Sequence, residues 1–122
     1  MLNLDRLKLE LNNKEYFGNN SDFMYEQILE ENNLDAFEEY SKANDRVNML
    51  ESVYAILQML ANDIENFQKI ETEFATTSAA YQYLQKRLAD VRDEIDRVKL
   101  DTGYTDENGN ISSLISHLFF NS

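Results

Sequence analysis

Two apolar seams restrict what this chain can fold into. Val47, Leu50, Tyr54, Leu57, Ala61 and Ile64 recur at spacings of 3, 4, 3, 4 and 3, and Tyr81, Leu84, Leu88, Val91, Ile95 and Val98 repeat the same spacings. Each set is a continuous stripe on an α-helix and on no other regular structure. The first predicts a helix over Ala43–Ile70 and the second a helix over Thr77–Leu100, capped by Thr76 or Thr77. Two long helices joined by a few residues default to an antiparallel hairpin. A further seam, Met49, Val53, Ile56 and Leu60, runs beside the first. A helix apolar on more than one side has to be covered on more than one side. The Ala43–Ile70 helix is therefore expected at the centre of a bundle or partly in a subunit interface. Met49, Val53, Ile56 and Leu60 become candidate partner-interface residues.

The remaining sequence supports an all-α class. There is no proline, glycine occurs three times, and strong helix formers dominate. At 122 residues one domain is the simplest organisation, long enough to bury a core. In "LNLDRLKLEL", Leu4, Leu7 and Leu11 follow helical spacing, although Leu7, Leu9 and Leu11 also alternate as a strand would. Helix is the reading adopted, with Asn3 as its expected cap. "NNKEYFGNN" reads as a loop. Ser21 or Asp22 then opens a helix to about Glu31, with Phe23, Ile28 and Leu29 as its apolar side. "NNLD" ends it, and "AFEEY" has the composition of one more turn. In the second long helix, Lys86 with Asp90, Arg92 with Asp96 and Asp93 with Arg97 stand at pairing offsets.

The formal charge of −12 disfavours direct contact with nucleic acid, because phosphates are repelled. The charge is uneven: residues 1–42 hold ten acids against four bases, whereas residues 76–100 hold four against five. The cluster Glu30, Glu31, Asp35, Glu38 and Glu39 reads first as a solvated face, and second as a surface for a basic partner or a mimic of a phosphate backbone. Ser52 to Asn62, the longest charge-free run with real apolar content, is too short to span a bilayer. "MLNLDRLKLE" lacks a signal peptide's apolar stretch, and there is no cysteine. A soluble protein made in the cytoplasm is expected.

Chemistry is hinted at in one place only. "DTGYTDENGNIS", Asp101 to Ser112, carries oxygen-bearing side chains at alternate positions like a calcium loop. Counting from Asp106, however, glycine's position holds Ile111, and the bidentate glutamate's position holds His117. Asn108-Gly109 is instead a type I′ turn signal, so a short β-hairpin is expected near Asn108. His117 is the only histidine, which excludes a di-iron bundle site. No phosphate loop or dinucleotide fingerprint is present. No catalytic residue, cofactor or metal is expected. The chain then divides into a helical domain, residues 1–100, and a hairpin turn with an interaction tail, residues 101–122. That tail, "LISHLFFNS", places Leu114, Ile115, Leu118, Phe119 and Phe120 close together. Burying each contributes about 1.5–3 kcal/mol, so docking on the chain's own core and entering a neighbouring subunit are both open.

Finally, "RLKLEL", "YEQILEEN", "LESVYAILQMLANDI", "AAYQYLQKRLADVRDEI" and the short apolar end resemble small acidic helical proteins of tailed phages and prophages. Within that group the chain is most similar in size and organisation to head–tail connector (adaptor) proteins. The resemblance covers most of the chain, rests on texture and order rather than a diagnostic motif, and carries over no functional residue. It implies a mostly helical, non-enzymatic virion protein beneath the portal. Such a protein assembles as a ring, with portal or tail components as neighbours, without direct nucleic-acid or membrane contact. A small acidic inhibitor that mimics DNA in a basic groove of a host protein is the alternative.

Overall fold

The computed structural model describes residues 1–65, 67 and 74–102, with Thr102 described by its backbone. Four α-helices follow one another among them: α1 (Asn3–Glu10), α2 (Ser21–Glu31, entered through a 3-10 turn at Gly18–Asn20), α3 (Lys42–Ala61) and α4 (Thr77–Thr102). The expected β-hairpin near Asn108 and the residues Leu114, Ile115, Leu118, Phe119 and Phe120 lie outside the described residues.

The helix ends follow from local chemistry. Both short helices stop at an asparagine pair. Asn12 and Asn33 take left-handed φ values of 58° and 64°, a conformation that asparagine tolerates better than most residues. In α1, Asn13 N–H donates to the Lys8 carbonyl at 2.8 Å and Asn12 N–H to Leu9 at 3.0 Å. In α2, Leu34 N–H donates to Leu29 at 2.9 Å and Asn33 N–H to Glu30 at 3.0 Å. These are the paired bonds of a Schellman motif, which satisfy otherwise orphaned carbonyls. At the start of α4, Thr76 Oγ1 accepts from Ala79 N–H at 3.0 Å, the cap the sequence predicted. Two other caps differ. Asn3 is already helical, and its Nδ2 donates to the Asp35 carbonyl. Ser21 turns back to accept from Phe17 N–H and donate to the Gly18 carbonyl. Gly18 has φ +62°, which suits a residue without Cβ.

The helix predicted to reach Ile70 stops at Ala61. Asn62 and Asp63 interrupt it: Asp63 N–H bonds only three residues back, to Leu60, and Phe67 N–H then bonds to the Asp63 carbonyl. Ile64 therefore begins a new helical turn. "AFEEY" forms a hydrogen-bonded turn, Glu38 N–H to the Asp35 carbonyl, and then an antiparallel bridge between Glu39 and Leu2.

Tertiary order follows from α3, which is wrapped on two sides. Arg46 reaches Glu94, and Gln58 and Ala61 lie across from Gln85 and Leu88, so α3 and α4 run antiparallel. On the other side α1 and α2 fold back over α3. The core joins Leu4, Leu7 and Leu11 with Tyr25, Ile28 and Leu29, both seams of α3, and Leu84, Leu88, Val91 and Ile95 of α4. Two assignments change. Met49, Val53 and Ile56 are fully sealed and Leu60 is 3 % exposed within the single chain. These four are core residues of the single chain, at the centre of the bundle, and not the partner-interface residues they were expected to be. Tyr81, expected in the α4 seam, is exposed.

Candidate functional site: an acidic groove with exposed aromatics

At about 100° per residue, Tyr25, Ile28 and Leu29 lie along one side of α2 and are buried. Phe23 lies two residues before Tyr25 and projects from the opposite side together with Gln27 and Glu30. It is 61 % exposed and not part of the apolar side it was assigned to. Past the helix end, the left-handed Asn33 reverses the chain and brings the segment 34–37 back along α2. The space between them is a groove of about 440 Å³ lined by Glu26, Gln27, Glu30, Asn33, Leu34, Asp35, Ala36 and Phe37. Leu34 and Ala36 are buried and make its floor, while Phe37 stands at its rim, 64 % exposed.

The second wall is held from behind. Leu4 N–H donates to the Ala36 carbonyl at 2.9 Å and Asn3 N–H to Glu38 at 2.8 Å, so the first amides of α1 find their acceptors in this segment. Asn3 Nδ2 adds a bond to the Asp35 carbonyl at 2.7 Å. Phe37 N–H donates to Asp35 Oδ1 at 2.9 Å, which closes a local Asx turn. The terminal ammonium of Met1 pairs with Glu39 at 2.7 Å. Both walls are thus fixed mainly by backbone hydrogen bonds, with the side chains of Asn3 and Asp35 adding one each.

Electrostatically the groove is one-signed. Three carboxylates line it, with no lysine or arginine. Among the described residues, no ion pair engages Glu26, Glu30, Asp35 or Glu38; Lys8 is taken up by Asp22 at 2.9 Å. Of the acidic cluster singled out in the sequence, Glu30 and Asp35 meet in the groove, Glu31 and Glu38 are exposed outside its lining, and Glu39 holds the N-terminus.

A second charged centre lies inside the bundle and is structural. Glu10 accepts from Arg6 and Arg46, at 2.6 and 2.7 Å, and Arg46 also bonds Glu94 at 2.7 Å. Arg87 donates to the Glu10 carbonyl at 2.7 Å. Burial pushes the Glu10 carboxyl up, but the bonds and charges of Arg46 and Arg6 outweigh it and hold the group below its ordinary 4.5. Burial likewise opposes the Arg46 charge, and its bonds to Glu94 and Glu10 more than restore it. The arrangement locks α1, α3 and α4 together and leaves no free acid or base. A further depression between α3 and α4 is lined by Tyr54, Gln58, Leu88 and Arg92. There Arg92 lies 4.5 Å from the centre of the Tyr54 ring and 4.0 Å from Glu51, rather than on Asp96. Of the predicted α4 pairs, Lys86–Asp90 is present at 3.1 Å.

Among the described residues no three histidine, cysteine or acidic side chains converge as a metal site would require. No helix of the described residues is long and apolar enough to cross a membrane. The two aromatic residues beside the groove were the signal the sequence reading missed. Phe23 is out of phase with Tyr25, Ile28 and Leu29, and Phe37 stands among acids in a segment with no apolar periodicity. No family model, curated protein or solved structure matches this chain.

Proposed function

We propose that this chain is a non-enzymatic assembly protein that works through its surfaces, of the kind found in the head–tail connector of tailed phages, the proteins its sequence resembles. The observation that carries the reading is the pair Phe37 and Phe23, the two most exposed large apolar side chains of the described residues, at 64 % and 61 %, beside an acidic groove. Large aromatics held in water are costly to keep and are the residues that dominate protein interfaces. The apolar sequence Leu114, Ile115, Leu118, Phe119 and Phe120 supports the same reading and supplies a second surface for neighbours. In this reading the protein resides in the virion, as a ring next to portal or tail components. The test is the mass of the purified chain in solution, alone and mixed with recombinant portal and tail proteins. Concentration-dependent rings or a stable mixed complex are expected; a monomer under all these conditions overturns the proposal.

The exposed acids Asp22, Glu30, Glu31, Asp35 and Glu38 favour one alternative, an inhibitor that occupies the DNA groove of a host protein. That reading requires direct competition with DNA and a steep loss of binding with salt.

A further inference from the structure

We infer that the groove between α2 and residues 33–37 is the docking site for a basic, amphipathic polypeptide segment of another protein. One apolar side chain of that segment sits over Leu34 and Ala36 against Phe37, and its lysines or arginines meet Glu26, Glu30 and Asp35. The inference rests on the assembly reading and names the partner chemistry of one of its surfaces.

Charge selects the occupant. The lining carries three carboxylates and no base, so a cationic guest is attracted, while nucleic acid and anionic lipid are repelled. The chain's own end is a poor match, because Ile111 to Ser122 contains no lysine or arginine. A second copy is the weaker match: Arg6, Lys8, Arg46, Lys86, Arg92 and Lys99 are already engaged with acids within the chain, and among the described residues the exposed Lys42 and Arg97, on different helices, are the bases without an ion pair or other bond. Charge alone does not make a specific site, and the aromatic rim supplies the rest. Phe37 lines the groove with the buried Leu34 and Ala36, and Phe23 is exposed on the side of α2 that carries Gln27 and Glu30. A guest with charges only would leave those rings wet. Pre-organisation favours binding as well. The Schellman bonds at Asn33 and Leu34, the Asp35–Phe37 turn and the amides of Asn3 and Leu4 hold both walls before any partner arrives. Little ordering entropy is then lost on docking.

The test uses the full chain, labelled with ¹⁵N, and three probes: a synthetic helical peptide of leucines and lysines, its glutamate-for-lysine counterpart, and poly-lysine. The leucine–lysine peptide is expected to shift amides between residues 23 and 37, to weaken with salt without being abolished, and to exceed poly-lysine. The glutamate counterpart is expected not to bind. Phe37→Ala, and separately Glu26→Gln with Glu30→Gln, should each weaken binding by about tenfold, with circular dichroism unchanged. Unchanged affinity in both variants overturns the inference. So do shifts scattered over every acidic face, poly-lysine binding as tightly as the peptide, or self-association through these residues without peptide. Rings or mixed complexes that form equally well with the Phe37 and Glu26/Glu30 variants overturn the groove and leave the assembly reading standing.

Discussion

Glu10 and Arg46 show how one ion pair can be structural despite chemical appearances. Both side chains are largely withdrawn from water, at 15 % and 13 % exposure, and each has more than one partner. Removing one charge strands the other. Arg46→Met should therefore cost about 2–3 kcal/mol in urea unfolding, somewhat below the ~3–5 of a fully sealed pair. The pH dependence has a definite sign. Folded Glu10 titrates below its ordinary 4.5, so the unfolded chain takes up the proton more readily. Its contribution is complete above about pH 4.5 and is lost as pH falls through the lowered folded value. In Glu10→Gln this acid-limb decline should flatten while the rest of the profile keeps its shape. The same residue-level logic separates core from interface at Ile56. Because it is sealed by its own chain, Ile56→Ala should lower monomer stability by about 2–5 kcal/mol. A variant that changed only oligomeric mass would instead restore the interface assignment.

The helices themselves were readable because their signals are local and periodic. The seam of α4 from Leu84 to Ile95, the cap at Thr76 and the stop at Asn12–Asn13 are all set by residues within one or two turns of each other. What escaped the sequence was set at a distance. Asn62 and Asp63 end α3 although the heptad spacing runs through them, since a seam records which residues face inward and not whether the axis is continuous. The groove depends on α1's first amides reaching residues 36–38, a pairing across more than thirty residues with no sequence signature. Its hinge can be tested directly. Asn33 sits at φ +64°, so Asn33→Val should cost about 1–2 kcal/mol and disturb amides from 33 to 38, whereas Asn33→Gly should be tolerated. Tyr25 does the same service for the preceding loop: its hydroxyl donates to the Lys14 carbonyl at 2.9 Å and accepts Tyr16 N–H at 3.1 Å. Tyr25→Phe should cost about 1–2 kcal/mol and raise hydrogen exchange at Tyr16, whose buried amide would lose its partner.

For the molecule as a whole, the decisive change from the sequence reading concerns where apolar surface remains. The sequence suggested more oily helix surface than one chain could hide, and placed the excess on Met49, Val53, Ile56 and Leu60. The bundle hides all four, because the N-terminal third, though strongly acidic, contributes Leu4, Leu7, Leu11, Tyr25, Ile28 and Leu29 to the same core while most of its acids, Glu10 excepted, stay exposed. Any assembly must then use what lies outside that core: the aromatic groove, exposed apolar side chains such as Leu9, Met59 and Leu100, and the residues beyond α4. The part played by the tail can be separated from the rest. Removing Ile111 to Ser122 deletes six large apolar residues without touching the described core. If the tail enters neighbouring subunits, the truncated chain should lose its oligomers in sedimentation while keeping its helical circular dichroism and unfolding midpoint. If the tail docks on its own bundle, truncation should instead lower the unfolding midpoint and leave the oligomer in place. Oligomers and midpoint both unchanged would place self-association on exposed apolar side chains of the bundle such as Leu9, Met59 and Leu100, whose alanine variants in the truncated background should then dissociate them.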